Sequence, residues 1–370
     1  MGWSIKLFTV GGTAVRMHLT FLLLLAWIAG VQLMRGSALD ALYGVVFILV
    51  LFACVVLHEF GHIWAARRYG IRTPDVTLLP IGGVASMERM PEKPSQEIVV
   101  ALAGPAVNLV IALVLALVLG LGALGISDPA QMALDGPYAG FLTQIAVANV
   151  VLLVFNLIPA FPMDGGRVLR ALLAMWLGYG TATRVAARIG QALAVVFAVL
   201  GYMGGNPMLL LIAVFIFLAA GGEAGYVRVR ELTRGRPVTD AMITAFEPLG
   251  VPATVEDAAA VLLRSGQQVI PVVDGAGRLR GVLTREAVVQ AVRADRGATP
   301  VLEVMTAGVP MLAVTADLEA AVAQLQKSQA GAAGIVDAAG RLVVYLTPDS
   351  IREALALGQG RAKRPLRAAG

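Results

Sequence analysis

The sequence predicts a polytopic α-helical membrane protein with about six transmembrane helices and a C-terminal α/β domain built from a repeat. Of its 370 residues, 58% are hydrophobic and only 14% are charged, whereas a soluble domain is typically about 25% charged. The hydrophobic residues gather in long runs, and the composition becomes mixed from about Val238 onward. These observations exclude an ordinary soluble enzyme and a disordered chain.

Six hydrophobic segments are predicted in the first part of the chain, because about 20 apolar residues in a helix span the bilayer core. They are Leu19–Met34, Leu42–Ala65, Ile98–Leu124, Phe141–Pro159, Ala186–Met203 and Met208–Ala220. The first and last are short and are compatible with a tilted or interfacial position. The single cysteine, Cys54, excludes a disulfide framework.

The positions of lysine and arginine predict the orientation, because these residues favour the cytoplasmic side. They occur before the first segment, after the second and after the fourth, where the group is Arg167, Arg170, Arg184 and Arg188. Residues 94–166 and 189–227 contain none. We therefore expect an external loop around Asp128 and Asp135, with both termini and the C-terminal domain in the cytoplasm. A net charge of +5 spread in this way does not predict nucleic-acid binding.

The second segment carries the pattern of a zinc site, His58-Glu59-Phe60-Gly61-His62. On a helix, residues four apart share a face, so both imidazoles can bind one metal while Glu59 lies beside it. Zinc suits imidazole nitrogens and a carboxylate, with one position left for water. A chance match is the alternative, but two of the three histidines in the chain occur here, and an acid inside an apolar helix indicates function.

A third ligand is expected from the end of the fourth segment, where Asp164 is the only carboxylate between Asp135 and Glu223. Pro159 and Pro162 precede it and should break the helix, which membrane proteins tolerate where the chain lines a cavity or is packed by protein. The sequence therefore predicts one zinc ion held by His58, His62 and Asp164.

These motifs resemble the site-2 protease family of intramembrane zinc metalloproteases. The resemblance rests on His58–His62, on Gly-Pro-Ala-Val-Asn at 104–108, and on Asn-Leu-Ile-Pro-Ala-Phe-Pro-Met-Asp-Gly-Gly at 156–166. It implies that Glu59 is the general base and acid and that Asn156 holds the substrate or the developing oxyanion. Leu157 follows this asparagine where some relatives have proline. Asn108 either hydrogen-bonds a neighbouring helix or lines the active cavity and helps hold the substrate or oxyanion.

The C-terminal domain contains two matching halves. Val238 to Met242 matches Val301 to Met305, Asp274 to Leu279 matches Asp337 to Leu342, and Thr284 matches Thr347, always at the same offset. Each half is predicted to contain a helix, two strands joined by a glycine turn, and a closing helix. The pair resembles tandem CBS domains, regulatory modules that often bind adenine nucleotides.

The ligand of the CBS-like pair is less well defined by the sequence. The acid that holds a ribose in that family is replaced by Ala287 in one half and by Ser350 in the other. The pair therefore either senses an adenine nucleotide without these acids, or serves packing, gating or homodimerisation without a ligand.

A surface hairpin is a further expectation, between the second and third segments. The stretch 76–88 alternates weakly and contains Gly82-Gly83. Its alternatives are a plain covering loop and an exposed strand edge that pairs with an unwound substrate.

Together these features predict an intramembrane zinc metalloendopeptidase that cuts transmembrane segments of membrane-protein substrates near the cytoplasmic face, in regulated intramembrane proteolysis modulated by the CBS pair. The expected domains are a protease domain at 1–230, tandem CBS domains at 231–357 (about 238–295 and 300–357), and a disordered basic tail at 358–370. A transporter or channel gated by the CBS pair is the alternative, but it should show an inverted repeat of helices, which the sequence lacks.

Overall fold

The computed structural model describes residues 3–80, 82–88, 91, 93–123, 137–328 and 330–362. The chain divides into two compact units, Met1–Val227 and Arg228–Gly370. The predicted external loop with Asp128 and Asp135 lies outside the described residues. So does most of the predicted tail, although the last helix continues to Ala362.

The first unit is mainly helical. Its helices are α1 (Leu19–Arg35), α2 (Ala38–Arg67), α3 (Pro94–Ala123), α4 (Pro137–Asn156), α5 (Asp164–Leu177), α6 (Tyr179–Met203) and α7 (Pro207–Thr233, ending in the second unit). Within the described residues, α2, α3, α6 and α7 are long and apolar enough to cross a membrane, and α1 and α4 contain shorter apolar stretches. The predicted class of polytopic helical membrane protein is confirmed, while the count of six crossings stays a prediction.

The predicted break after the fourth segment is present. Helix α4 ends at Asn156, turns occupy 157–163, and α5 starts at Asp164. Gly165 and Gly166 let the start of α5 pack against this turn segment, because a Cβ on Gly166 would lie 2.6 Å from the backbone of Ala160 and Phe161. Helix α5 was not expected, since its arginines interrupt the hydrophobic pattern.

A four-stranded sheet lies against α2. Its strands, β1 (Ser4–Val10), β2 (Thr13–His18), β3 (Asp75–Leu79) and β4 (Gly82–Ala85), follow one another in that order, with β2 and β3 parallel. The hairpin expected at 76–88 is therefore present as β3 and β4, which pair antiparallel. Val15, Val76 and Leu78 of the sheet form a buried cluster with Phe60 and Ile63 of α2.

The first strand pair was not predicted from the sequence. Residues 3–18 carry an irregular mixture of apolar and polar side chains with a Gly11-Gly12 turn. The hydrophobic side chains of β1 are largely exposed, including Ile5, Phe8 and Val10. On β1, no buried face therefore imposes the alternation by which a strand is usually detected.

The second unit repeats one arrangement twice. The first half contains β5 (Leu249–Gly250), α8 (Val255–Ser265), β6 (Val269–Val273), β7 (Leu279–Thr284) and α9 (Arg285–Arg293). The second contains α10 (Val301–Val304), β8 (Met311–Ala313), α11 (Leu318–Lys327), β9 (Ala333–Val336), β10 (Leu342–Leu346) and α12 (Pro348–Ala362). In each half a parallel pair of strands precedes an antiparallel pair.

The two strand turns show the duplication at the level of single atoms. Asp274 Oδ1 accepts hydrogen bonds of 2.9 Å from the backbone N–H groups of Ala276 and Arg278. Asp337 Oδ1 accepts equivalent bonds of 2.9 Å from Ala339 and Arg341. These backbone donors, chiefly those of Arg278 and Arg341, lower the pKa of both carboxyl groups. The predicted repeat is thereby confirmed.

Candidate active site

Three buried side chains from two helices converge on one point. His58 and His62 lie on one face of α2, and Asp164 is the first residue of α5. The Nε2 atoms of the two histidines are 3.0 Å apart, and Asp164 Oδ2 is 3.3 Å from that of His58 and 3.2 Å from that of His62. In the described residues, this is the only set of three or more His, Cys, Asp or Glu side chains whose ligand atoms lie close enough to share a metal ion.

The spacing of these atoms fits a metal. A tetrahedral zinc ion with bonds of about 2.0–2.1 Å separates its ligand atoms by roughly 3.3 Å, which agrees with the separations of 3.0 to 3.3 Å. Asp164 also lies at the N-terminus of α5, where the helix dipole favours the ionised carboxylate. The donor set, two imidazoles and one carboxylate, leaves one position of the tetrahedron open.

Both imidazole rings are oriented by helix α3. His62 Nδ1 lies 2.7 Å from the carbonyl oxygen of Val100, and His58 Nδ1 hydrogen-bonds Oδ1 of Asn108. Since a carbonyl accepts only from an N–H, both Nδ1 atoms carry the proton and both Nε2 atoms remain available as ligands. Asn108 is itself held, because its Nδ2 donates to Asn149 Oδ1 of α4 at 2.9 Å.

Glycine at position 104 allows α3 to approach the histidines. A Cβ at Gly104 would overlap the His62 ring and would lie 2.7 Å from Nε2 of His58. Real Cβ atoms do not come this close to non-bonded atoms. The backbone of α3 therefore fills the space beside the two Nε2 atoms. This close approach explains the glycine of the 104–108 motif, for which the sequence alone gave no structural reason.

Glu59 faces a cavity that also contains the three ligands. The cavity has a volume of about 480 Å³, and its walls include Asn156, Arg167 and the β4 residues Gly83 and Val84. Strand β4 lies directly on Glu59, since a Cβ at Gly83 would be 2.8 Å from Glu59 Cγ. The carboxyl group, the metal ligands and a strand edge thus share one chamber.

Of the other candidate residues, one lines the cavity and three lie outside its lining. Asn156 lines the cavity, whereas the amide of Asn108 is fully buried and engaged by His58 and Asn149. The amide of Asn108 therefore contacts His58 on α2 and Asn149 on α4. Cys54 is buried within α2, and His18 caps the start of α1.

Two contributors were missed by sequence reasoning. The backbone carbonyl of Val100 carries no sequence signal, because any residue supplies it. Arg170 was counted among the cytoplasmic cations, but its side chain is fully buried and paired with Glu97 and Glu223. The sequence signal that could have indicated this pairing is Glu97, an acid next to an apolar run. In the structure the Glu97 side chain is buried, with 2% of the residue exposed.

The CBS-like halves use their threonines as helix caps. Thr284 Oγ1 accepts from the backbone N–H of Ala287, and Thr347 Oγ1 accepts from that of Ser350. Ala287 and Ser350, which replace the acids of the family pattern, thus occupy the third position of each helix. A separate cavity of about 730 Å³ lies in the first half, beside Pro252, Asp274 and Arg280.

A buried set of two histidines from an apolar helix and one aspartate from a second helix, with a glutamate beside it, is the arrangement of a membrane metallopeptidase. Comparison with known proteins identifies the family. Residues 46–125 and 121–200 match Peptidase family M50, and residues 238–294 match the CBS domain. A zinc metalloprotease of Methanocaldococcus jannaschii is 37% identical over 65% of this chain and 67% of its own length. The chain belongs to peptidase family M50, the site-2 proteases.

Solved structures show related similarities. The site-2 protease from Methanocaldococcus jannaschii is 38% identical and covers 60% of this chain and 95% of its own, with a TM-score of 0.45. The CBS-pair protein CBSX2 from Arabidopsis thaliana is 24% identical over 34% of this chain and 98% of its own, with a TM-score of 0.31. The chain spans 52% and 60% of curated relatives from Synechocystis and Mycobacterium tuberculosis. The transporter alternative has no support, since the helical unit matches a peptidase family.

Proposed function

We propose that this protein is an intramembrane zinc endopeptidase that cuts transmembrane segments of other proteins near the cytoplasmic face. The observation that carries the proposal is the convergence of His58, His62 and Asp164 within 3.0 to 3.3 Å, buried at the end of an apolar helix. Membership of the M50 family supports the same activity.

Each group of the site has a chemical role in this proposal. His58, His62 and Asp164 would hold one zinc ion, and that ion would supply Lewis-acid chemistry that lowers the pKa of a water molecule and polarises the scissile carbonyl. Glu59 accepts a proton from the attacking water and passes it to the leaving amine. Asn156, on the same cavity, donates from its amide to the substrate carbonyl as negative charge develops there.

Strand β4 offers a way to present the substrate. Among the described residues β4 is the edge strand of its sheet and pairs with β3 only. Residues of β4 line the cavity together with Glu59. A transmembrane helix shields its own peptide bonds, so a substrate must unwind first, and adding a strand to β4 would hold it extended.

The orientation and domain roles complete the proposal. The site lies in the part of α2 that precedes Arg67 and Arg68, which favours a site near the cytoplasmic face with both termini and the CBS pair in the cytoplasm. We assign the protease domain to 1–230 and the CBS pair to 231–357. The pair would modulate cleavage, by binding a ligand such as an adenine nucleotide or by forming a homodimer.

The test does not require a known substrate. Membranes from cells that express wild type or His62→Ala are digested, and mass spectrometry identifies new peptide ends inside transmembrane segments. We expect such ends near the cytoplasmic side with wild type and not with His62→Ala. His18→Ala is the matched control, because that histidine caps α1 and should leave the ends unchanged. Identical sets of ends from wild type and His62→Ala would contradict the proposal.

A second prediction concerns the close approach of α3. Gly104→Ala should raise the dissociation constant for zinc by roughly 10–100-fold, as loss of an outer-shell contact does, because the new methyl group displaces both imidazoles. Gly120→Ala on the same helix is the control, since its Cβ would meet nothing within 4 Å. Competition with a chelator of known affinity measures both variants. Equal zinc affinities of Gly104→Ala and Gly120→Ala would show that the histidines tolerate the added methyl group.

A further inference from the structure

Arg170 is a fully buried arginine near the site that the proposed chemistry does not use. Its Nε and Nη2 atoms donate to Oε1 of Glu97 on α3 at 2.8 and 2.5 Å, and its Nη1 donates to Glu223 on α7. The guanidinium also lies over two aromatic rings, 5.1 Å from the centre of Phe161 and 5.0 Å from that of Tyr179. One side chain therefore contacts three helices and the turn segment before α5.

These contacts join the two parts of the metal site. Glu97 is one helical turn before Val100, whose carbonyl holds His62, so the first partner of Arg170 belongs to the helix that orients both histidines. Phe161 precedes Asp164 by three residues, and Arg170 is on the same helix as Asp164. Arg170 thus connects the element that carries the acid to the element that orients the imidazoles.

Stability alone does not explain such an arrangement. Removing a guanidinium and carboxylates from water costs several kcal/mol per ion, and well-packed apolar residues often serve a fold equally well. The planar guanidinium donates from two nitrogens to Oε1 of Glu97 and from the third to Glu223, and such charge-assisted hydrogen bonds fix relative position more closely than apolar contact does. What the cluster supplies is a fixed register between α3 and α5.

We propose that Arg170 is a positioning residue that fixes Asp164 against His58 and His62, and so sets the affinity of the site for its metal. The inference rests on the proposed function, because it assumes that these three residues bind zinc. It assigns Glu97 and Glu223 as the anchors of Arg170, and the aromatic rings of Phe161 and Tyr179 as the faces that hold its plane.

The test measures zinc affinity and stability separately, on the full-length protein in detergent. Arg170→Met alone leaves two carboxylates without their partner, which is strongly destabilising, so the informative protein is the triple variant Arg170→Met, Glu97→Gln, Glu223→Gln. It removes all three charges while it keeps the side-chain sizes close to the original. Arg170→Lys keeps the charge but not the fork. Arg230→Met with Glu319→Gln is the control, because it removes an ion pair of 2.7 Å in the second unit.

We expect the triple variant to keep a zinc-free melting temperature near that of wild type while its zinc dissociation constant rises by roughly 10–100-fold. The zinc dissociation constant of Arg170→Lys should lie between those of wild type and the triple variant. The control variant Arg230→Met, Glu319→Gln should bind zinc like wild type. If the triple variant bound zinc as tightly as wild type, Arg170 would be a structural residue only. The same conclusion would follow if its zinc-free melting temperature fell in proportion to its loss of zinc affinity. Absence of zinc binding by wild type would instead overturn the proposed function.

Discussion

Replacing Glu59 with Gln should lower the rate of peptide cleavage by about 10²- to 10⁴-fold while the protein still binds one zinc ion per chain. Glutamine keeps the size of the side chain in the cavity beneath β4, but an amide cannot accept the proton of the attacking water. A general base contributes typically 10²- to 10⁴-fold to the rate, so we expect a loss in that range. His58, His62 and Asp164 are unchanged, which is why zinc should remain.

Cleavage is measured as the appearance of new peptide ends in membranes, and zinc by elemental analysis of the purified protein. Glu59→Asp provides a graded comparison, because it keeps a carboxylate but withdraws it by one methylene group. Glu256→Gln is the control, since that side chain is exposed in the second unit. Cleavage by Glu59→Gln at the wild-type rate would remove Glu59 from the mechanism, whereas loss of zinc would mean that it supports the metal site.

The metal ligands were accessible from the sequence because local rules apply to them. The four-residue spacing of His58 and His62 fixes a common face of α2 wherever that helix lies in the fold. Asp164 could be paired with them because the neighbouring apolar sequence offers no other acid, and two prolines predicted the break that brings it inward. The structure places all three together, while their roles stay predictions.

The contacts around the ligands could not be predicted in the same way. The carbonyl of Val100 and the missing Cβ of Gly104 act through the distance between two helices, which no local pattern encodes. The burial of Arg170 was not predicted for a related reason. An arginine beside a hydrophobic segment usually marks the cytoplasmic side, and only the positions of Glu97 and Glu223 in the fold reveal that it is buried.

The strands of the sheet illustrate the same limit. The hairpin of β3 and β4 was anticipated from weak alternation and two glycines, but β1 and β2 were not. Strand β2 lies beside β3 in parallel register, although 60 residues lie between Ala14 and its partner Asp75. Such a pairing depends on where α1 and α2 place the two chain segments, so it becomes visible only when the helices are assembled.

Replacing Asp164 with Ala should remove zinc from the purified protein. The variant keeps both histidines with their contacts to Asn108 and Val100, but two imidazoles are one donor short of the three protein ligands of a catalytic zinc site. We expect the zinc dissociation constant to rise by more than the roughly 10–100-fold that loss of an outer-shell partner causes. Cleavage should be lost together with the metal, unlike in Glu59→Gln, where only cleavage is lost.

Two further variants make this result specific to the carboxylate. Asp164→Asn keeps the shape at the start of α5 and removes only the charge, so it should bind zinc more weakly than wild type but better than Asp164→Ala. Asp317→Ala, an exposed helix cap in the second unit, should bind zinc like wild type. Stoichiometric zinc in Asp164→Ala would exclude this carboxylate as a ligand. The third donor would then have to come from another side chain of the cavity. Glu59 is the other carboxylate among its lining residues, so the double variant Asp164→Ala, Glu59→Gln would decide whether Glu59 is that donor.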